Sequence, residues 1–287
     1  MKKLFFVNFL LLATNILFSQ ICEPIDKQIF SEKMKYAYDA GLMKAPLAKI
    51  ITEIGKSFIG TDYVAHTLEG DGEENLIVRF NGLDCTTFLE TTLALARCIH
   101  SRDTSFNNYC NELTTIRYRN GIINKYPSRL HYFSEWIRNN EEKGIVSDRS
   151  KELGGIPIVF NLNYMSTHPE SYKQLKENPA FIKTVEENEK QINSHEFYYL
   201  PKKLVSDIEN KIDSGDLIAL TTSIEGMDIQ HVGIAVKAED GTTHFLHAPL
   251  SGHKVQISEL PLSAYLKKVG KCTGILVVRP LSSESDK

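Results

Sequence analysis

Asn81-Gly-Leu-Asp-Cys-Thr-Thr-Phe-Leu-Glu90 reads as a helix start with a thiol in its first turn. The short carboxylate of Asp84 can accept from the unpaired N–H groups of that turn, so Asp84 is a good N-cap. Cys85 then sits at a helix N-terminus, where the aligned peptide dipoles favour thiolate over thiol. Phe88, Leu89, Leu93, Ala96 and Ile99 recur at helical spacing and predict a helix over 84–99 with a one-sided apolar stripe. Cys85 continues that stripe. It is either a nucleophile or a core cysteine at a helix start.

Further along, Ile229-Gln-His-Val-Gly-Ile-Ala-Val236 alternates as a strand does. Val232, Ile234 and Val236 share one face. His231, Gly233 and Ala235 share the other, and the two small residues leave room there for a helix start to approach. The next strand, Thr243-His-Phe-Leu-His-Ala-Pro249, puts Thr243, Phe245 and His247 on one face and His244 on the opposite one. A two-residue turn at Asp240-Gly241 would send His231 and His247 to opposite faces. A three-residue loop with Gly241 in the left-handed conformation pairs Ala238 with Thr242 and opposes His231 to Pro249. His247 is then a same-face diagonal neighbour of His231, roughly 7–8 Å away at the backbone. We expect the three-residue loop. Cys85, His231 and His247 would then serve as nucleophile, base and orienter. The Cys85 N–H, with a hydroxyl such as that of Tyr63 in Gly60-Thr-Asp-Tyr-Val64, could stabilise an oxyanion. A structural histidine and a packed tyrosine are the plainer readings of His231 and Tyr63.

The remaining sequence sets the frame. In 287 residues, 33 Lys+Arg face 36 Asp+Glu, a net charge of −3. That argues against nucleic acid as a partner, which would need clustered cations. Hydrophobic residues at 42% suffice for a buried core. Residues 1–20 combine Lys2 and Lys3 with an apolar run from Leu4 to Phe18 and a small residue, Ser19, at a plausible cleavage point. This is a signal-peptide pattern, too short for a comfortable span. The expected product is an exported protein, periplasmic in location, with lipid attachment at Cys22 as the lesser alternative because Ser19-Gln20-Ile21 lacks the small residues such a signal needs. No later run is apolar enough to span a membrane.

Residues 21–287 read as one catalytic domain of α+β class: a helical lobe over about 25–212 and a β-rich lobe over about 213–281. Helices are expected over 29–58 (broken near Gly41 and Pro46), 104–118, 130–142, 170–193, 202–212 and 262–269. Strands are expected at 76–80, 216–222, 229–237, 243–249, 254–258 and 274–279. The acidic run Glu69–Glu74 reads as solvated surface. Cys22, Cys85, Cys98, Cys110 and Cys272 allow at most two disulfides, and spacing does not choose among them.

Taken in order, "GTDYV", "LDCTTF", "GDLIAL", "HVGIAV" and "FLHAP" resemble the NlpC-type cell-wall cysteine peptidases, a superfamily with a papain-like core. The resemblance implies Cys85 as nucleophile, His231 as base, His247 as third polar residue and Tyr63 beside the nucleophile. Thr86-Thr87 replaces the usual small pair after the cysteine. With the insert "RLHYFSEWIRNN…LGGIPIVFNLNYMSTHPESY", this looks like the N-acetylmuramoyl-L-alanine amidase-like branch, first catalogued as a domain of unknown function. The implied reaction is hydrolysis of the amide between N-acetylmuramic acid and L-alanine in small muropeptides. Two alternatives stay open: an endopeptidase cutting D-γ-glutamyl bonds of the stem peptide with the same triad, and a non-catalytic muropeptide binder. The loop 161–169 could line a sugar pocket, and Arg149, Ser166, His168 and Asp228 are substrate-contact candidates. No cofactor is required. A zinc reading of His231, His244 and His247 is disfavoured because His244 and His247 alternate faces and no HExxH is present.

Overall fold

The computed structural model describes residues 20–282; the leader expected over 1–20 lies outside them apart from Gln20. β1 (Gln20–Cys22) leads into α1 (Pro24–Asp39), and α2 (Leu47–Lys56) follows the expected break. The first helix begins earlier than the periodicity suggests, because the fixed φ of Pro24 suits a first helical position. β2 (Leu76–Val78) pairs in parallel with β1, apart from the main sheet.

α3 (Cys85–Ser101) carries the candidate nucleophile at its start, with Asp84 accepting from the Thr87 N–H at 2.7 Å. Its apolar stripe is not one-sided. Nearly every residue from Thr87 to Ile99 is buried, because α2, α4 (Phe106–Arg117) and the sheet enclose it. Glu90 is therefore buried and is satisfied by Arg117 Nε at 2.7 Å and Trp136 Nε1 at 3.2 Å. Removing the cation alone would leave a buried, unpaired carboxylate. Arg117→Ala is expected to cost about 3–5 kcal/mol in urea unfolding. A loss below about 1 kcal/mol would contradict that reading of the pair.

α5 (Phe133–Glu142), β3 (Val146–Asp148), β4 (Ile156–Ile158), α6 (Tyr164–Thr167), α7 (Lys173–Glu177), α8 (Ala180–Asn193) and β5 (Phe197–Pro201) form the insert. The single helix expected over 170–193 is split before Pro179, which disfavours helical geometry in the residue ahead of it. The helix expected over 202–212 is the single turn α9 (Val205–Ile208) between 3-10 turns. β6 (Leu217–Thr222), β7 (Ile229–Lys237), β8 (Thr243–His247), β9 (Gln256–Ile257), α10 (Leu262–Lys268) and β10 (Cys272–Pro280) complete the chain.

The eight-stranded sheet runs β4-β5-β10-β6-β7-β8-β9, with β3 also on β10. Its named pairs are all antiparallel. The α+β class stands, but β3, β4 and β5 extend the sheet back into the stretch expected to be helical. All three are short, and β4 is an exposed Ile-Pro-Ile edge, a place where a proline costs no ladder bond. One sheet face, through Val232, Ile234, Val236 and Leu246, packs on α2 and α3. The other, through Ile218, Leu220, Ala235 and Phe245, packs against Leu262 and Leu266 of α10.

The acidic run is not simply solvated surface. Glu74 and Glu69 both bind the buried Arg129, at 2.9 and 3.0 Å. All five cysteines are free thiols. No helix of the described residues is long and apolar enough to cross a membrane.

Candidate functional site

β7 and β8 join through the three-residue loop. The Ala238 N–H donates to Thr242 O at 2.8 Å, Gly241 adopts φ +83°, and Gly233 lies opposite His247. His247 is thus the diagonal neighbour of His231 on the same face. Their rings meet, with His231 Nε2 and His247 Nδ1 2.8 Å apart. A register shift between β6 and β7 adds a feature that alternation did not reveal. Leu220 pairs with His231 but Thr221 pairs with Ile229, so Gln230 is an extra residue. Such a bulge bends a strand and re-aims the side chain beside it, here that of the base candidate.

The space left by Gly233 is used by the sheet itself, not by a helix. A Cβ there would meet the Phe245 ring at 2.7 Å and His247 Cβ at 2.9 Å. α3 packs on the opposite face, the one carrying Val232. Cys85 nevertheless acts near this end of the strand, because it starts the helix: the Val232 N–H, one residue from His231, is among the groups that pull the thiol pKa down. Because the nearest atom to that Cβ is the backbone oxygen of Leu246 at 2.6 Å, Gly233→Ala is expected to displace β8 with His247, lowering both stability and turnover, the latter about 10-fold or more, as thermal unfolding and turnover together would show. Unchanged turnover would mean that the histidine pair tolerates the shift.

Tyr63 joins the thiol. It forms a parallel bridge with Leu83, and its phenol is pushed up to about 12 by burial and by the neighbouring Cys85 and Asp84. The thiol itself is pushed up to about 12, first by burial and then by Asp84, against the pull of the Val232 and Thr86 N–H groups. Burial pushes His231 down to about 4. Burial, with His231 next, pushes His247 down to about 3. Burial thus opposes the helix dipole, and both shifts favour the neutral forms, thiol and imidazole.

The contact candidates fare differently. The carboxylate of Asp228 is buried and fully engaged. Oδ2 accepts from Ser134 N–H at 2.7 Å and from its hydroxyl at 2.8 Å, and Oδ1 accepts from Ile229 N–H at 2.8 Å. It ties the N-terminus of α5 to the start of β7 and is not free for substrate. Arg149 pairs with Glu152, and its N–H donates to Val277 O. Val277 lies opposite Ile218, and Ile218 opposite Gly233, so Arg149 stands three strand spacings, roughly 14 Å, from β7. The structure does not bring it to the histidines.

Ser166 and His168 belong to a segment held against the β6–β7 turn. The N–H groups of Asn163 and Tyr164 donate to Gly226 O in the β6–β7 turn. Gly226, at φ +78°, permits this approach, since a Cβ would sit 2.4 Å from Asn163 Oδ1. The loop expected over 161–169 contains α6 and is pinned by Glu189, which accepts from Tyr132 OH at 2.7 Å and Ser166 N–H at 3.1 Å. His168 is exposed and stacks on Tyr164 at 4.4 Å. Tyr132 and Glu189 escaped sequence reading because helix periodicity gives no sign of a tyrosine–carboxylate contact 57 residues apart. His244 bonds Ser258 O and the Thr242 hydroxyl, away from the other two histidines.

The chain is similar to known proteins. Residues 53–275 match the AmiA-like family model, described as N-acetylmuramoyl-L-alanine amidase-like. Among solved structures, an N-acetylmuramoyl-L-alanine amidase from Bacteroides uniformis is similar, at 38% identity and TM-score 0.78, over 82% of this chain and 99% of that one. A candidate xylanase from Bacteroides fragilis is similar at 42% identity and TM-score 0.74, over 78% and 98%. A Legionella pneumophila protein shares the fold at 22% identity and TM-score 0.67, over 90% and 96%. No curated protein matches. With its family model spanning most of the length and its relatives covered nearly end to end, the chain belongs to the N-acetylmuramoyl-L-alanine amidase-like family.

Proposed function

We propose that this protein is a cysteine amidase that hydrolyses the bond between the lactyl group of N-acetylmuramic acid and L-alanine in muropeptides, on a papain-like, NlpC-type core. The observation that carries this is the His231–His247 hydrogen bond, on a strand whose next N–H, from Val232, is near enough to the Cys85 thiol to lower its pKa. Family membership supplies the substrate class.

The chemistry follows from which nitrogen does what. His231 Nε2 is engaged by His247, so Nδ1 is the nitrogen left to take the thiol proton. For Nδ1 to be the lone-pair nitrogen, Nε2 must carry hydrogen and donate to His247 Nδ1. His247 then carries its own hydrogen on Nε2, which is buried without an acceptor among the described residues. In the first half-reaction, Cys85 Sγ attacks the lactyl carbonyl as its proton passes to His231. The Cys85 N–H, at a helix start where it has no intrahelical partner, and the Tyr63 hydroxyl stabilise the oxyanion. The C–N bond breaks, and His231 returns the proton to the leaving L-alanine amine. Water then hydrolyses the thioester by the reverse proton path, releasing the muramyl carboxylic acid and the thiol.

Because thiol and imidazole are both neutral at rest, deprotonation of His231 alone sets the lower limit of activity. kcat/KM is expected to rise through about pH 4 and then stay flat, with no limb near the ordinary imidazole value. A bell with a falling basic limb below about pH 9 would contradict the neutral pair, because it would report an imidazolium that must stay protonated.

The leader pattern of residues 1–20 supports export to the periplasm as part of this reading, with lipid attachment at Cys22 the lesser alternative. The deciding test of the reaction is product identity. A purified disaccharide-peptide is expected to give free disaccharide and a peptide beginning with L-alanine. A shortened peptide still on the sugar would replace this reading with the endopeptidase, and binding without turnover would leave a muropeptide-binding protein.

A further inference from the structure

One hydrogen bond joins the two histidine rings, His231 Nε2 to His247 Nδ1 at 2.8 Å, with the rings at 77° to one another. A single bond does not fix an imidazole. The outer torsion of a histidine is broad and roughly two-fold, and a half-turn of His247 would replace Nδ1 with a ring carbon that cannot accept from His231. A hydrogen bond at the far nitrogen commonly prevents this. His247 lacks one among the described residues, because its Nε2 is buried without a partner. What keeps Nδ1 turned towards His231 is therefore packing.

Two rings supply it. Phe245, on the same strand and the same face, lies 4.7 Å from His247 at 31° and 5.7 Å from His231. Tyr265 comes from α10, outside the sheet, and meets the His247 ring at 5.2 Å and 78°, nearly square to it. Phe245 and Tyr265 are 5.7 Å apart, much closer than they would be on opposite faces of the imidazole. The three rings thus form a closed triangle, and a half-turn of His247 has to sweep through space that the other two fill. Tyr265 is itself well held. Leu262 and Leu266 of α10 are fully buried, and the Tyr265 N–H donates to Pro261 O at 2.8 Å.

We propose that Tyr265 is a positioning residue for the histidine pair: its ring holds His247 with Nδ1 towards His231. Tyr265 touches neither the thiol nor the reacting bond and acts only through His247. The inference rests on the roles given to the two histidines above and adds a residue of α10 to them.

The test compares Tyr265→Phe and Tyr265→Leu in the mature chain. Phe keeps the flat ring, and turnover is expected to stay within about threefold of wild type. Leu keeps an apolar contact for α10, so the chain still folds, but lacks the ring; kcat is expected to fall about 10-fold or more with KM little changed. In a His247→Ala background the same Leu change is expected to cost less than about threefold, because no ring remains to hold, whereas a purely structural contact would cost the same in both. Nitrogen-15 NMR of the histidine side chains reads the ring without turnover. One fixed His247 tautomer is expected in wild type and Tyr265→Phe, and an averaged signal in Tyr265→Leu. Equal turnover of the Phe and Leu variants, an undiminished loss in the His247→Ala background, or an unchanged His247 signal in Tyr265→Leu would overturn the proposal. Absence of disaccharide-peptide turnover in wild type would sink the amidase reading instead, and the nitrogen spectra would still decide whether Tyr265 holds the ring.

Discussion

Cys85→Ala is expected to lower turnover of a disaccharide-peptide by about 10⁴-fold or more, because no other group can form the acyl-enzyme. Binding should change little, since the thiol contributes a small contact to the ground state. Cys85→Ser should be nearly as inactive. In the same environment a serine hydroxyl is a much weaker acid than a thiol, so the same base activates it less. Parallel measurement of kcat and of substrate affinity separates this from a folding defect. If Cys85→Ala kept more than about a hundredth of wild-type turnover, the nucleophile would lie elsewhere.

His247→Ala is expected to lower kcat about 10²–10⁴-fold with a small effect on KM, through loss of tautomer and orientation at His231. His247→Asn is the informative partner. An amide oxygen can accept from His231 Nε2–H and has no alternative tautomer, so Asn should restore much of the loss. A merely structural role would not distinguish Asn from Ala in this way. Equal loss in both variants, accompanied by lower stability, would assign His247 to packing against Phe245 and Tyr265, whose rings lie 4.7 and 5.2 Å away.

How far these features were legible in the sequence differs by residue. Asp84 as the cap of α3 was readable, because it depends on neighbours within a few positions; Asp240-Gly241 allowed either loop, and the three-residue loop was preferred because only it brings the two histidines to one face. That loop fixed the diagonal placement of His231 and His247, the long-range feature best anticipated from the sequence. The bulge at Gln230 was not legible, since an extra residue leaves no mark on a strand this short. Nor was the face on which α3 packs. Alternation marks two faces but not which one a helix covers. The charge of Asp228 suggested a substrate contact, yet burial turned it into the tether of α5. Arg149 had only its charge to recommend it, and the sheet carries it away from β7. β3, β4 and β5 are too short and too mixed in composition for periodicity to register, although they decide how far the sheet extends.

The central claim is that Cys85 is acylated by the muramyl lactyl group. Rapid acid quench of the protein with a disaccharide-peptide, followed by intact mass and peptide mapping, tests it directly. The account predicts a transient adduct on Cys85 whose mass is the disaccharide acid less water, absent from Cys85→Ala. An adduct carrying stem-peptide mass, or one on another residue, would contradict it, as would product formation by Cys85→Ala at an undiminished rate.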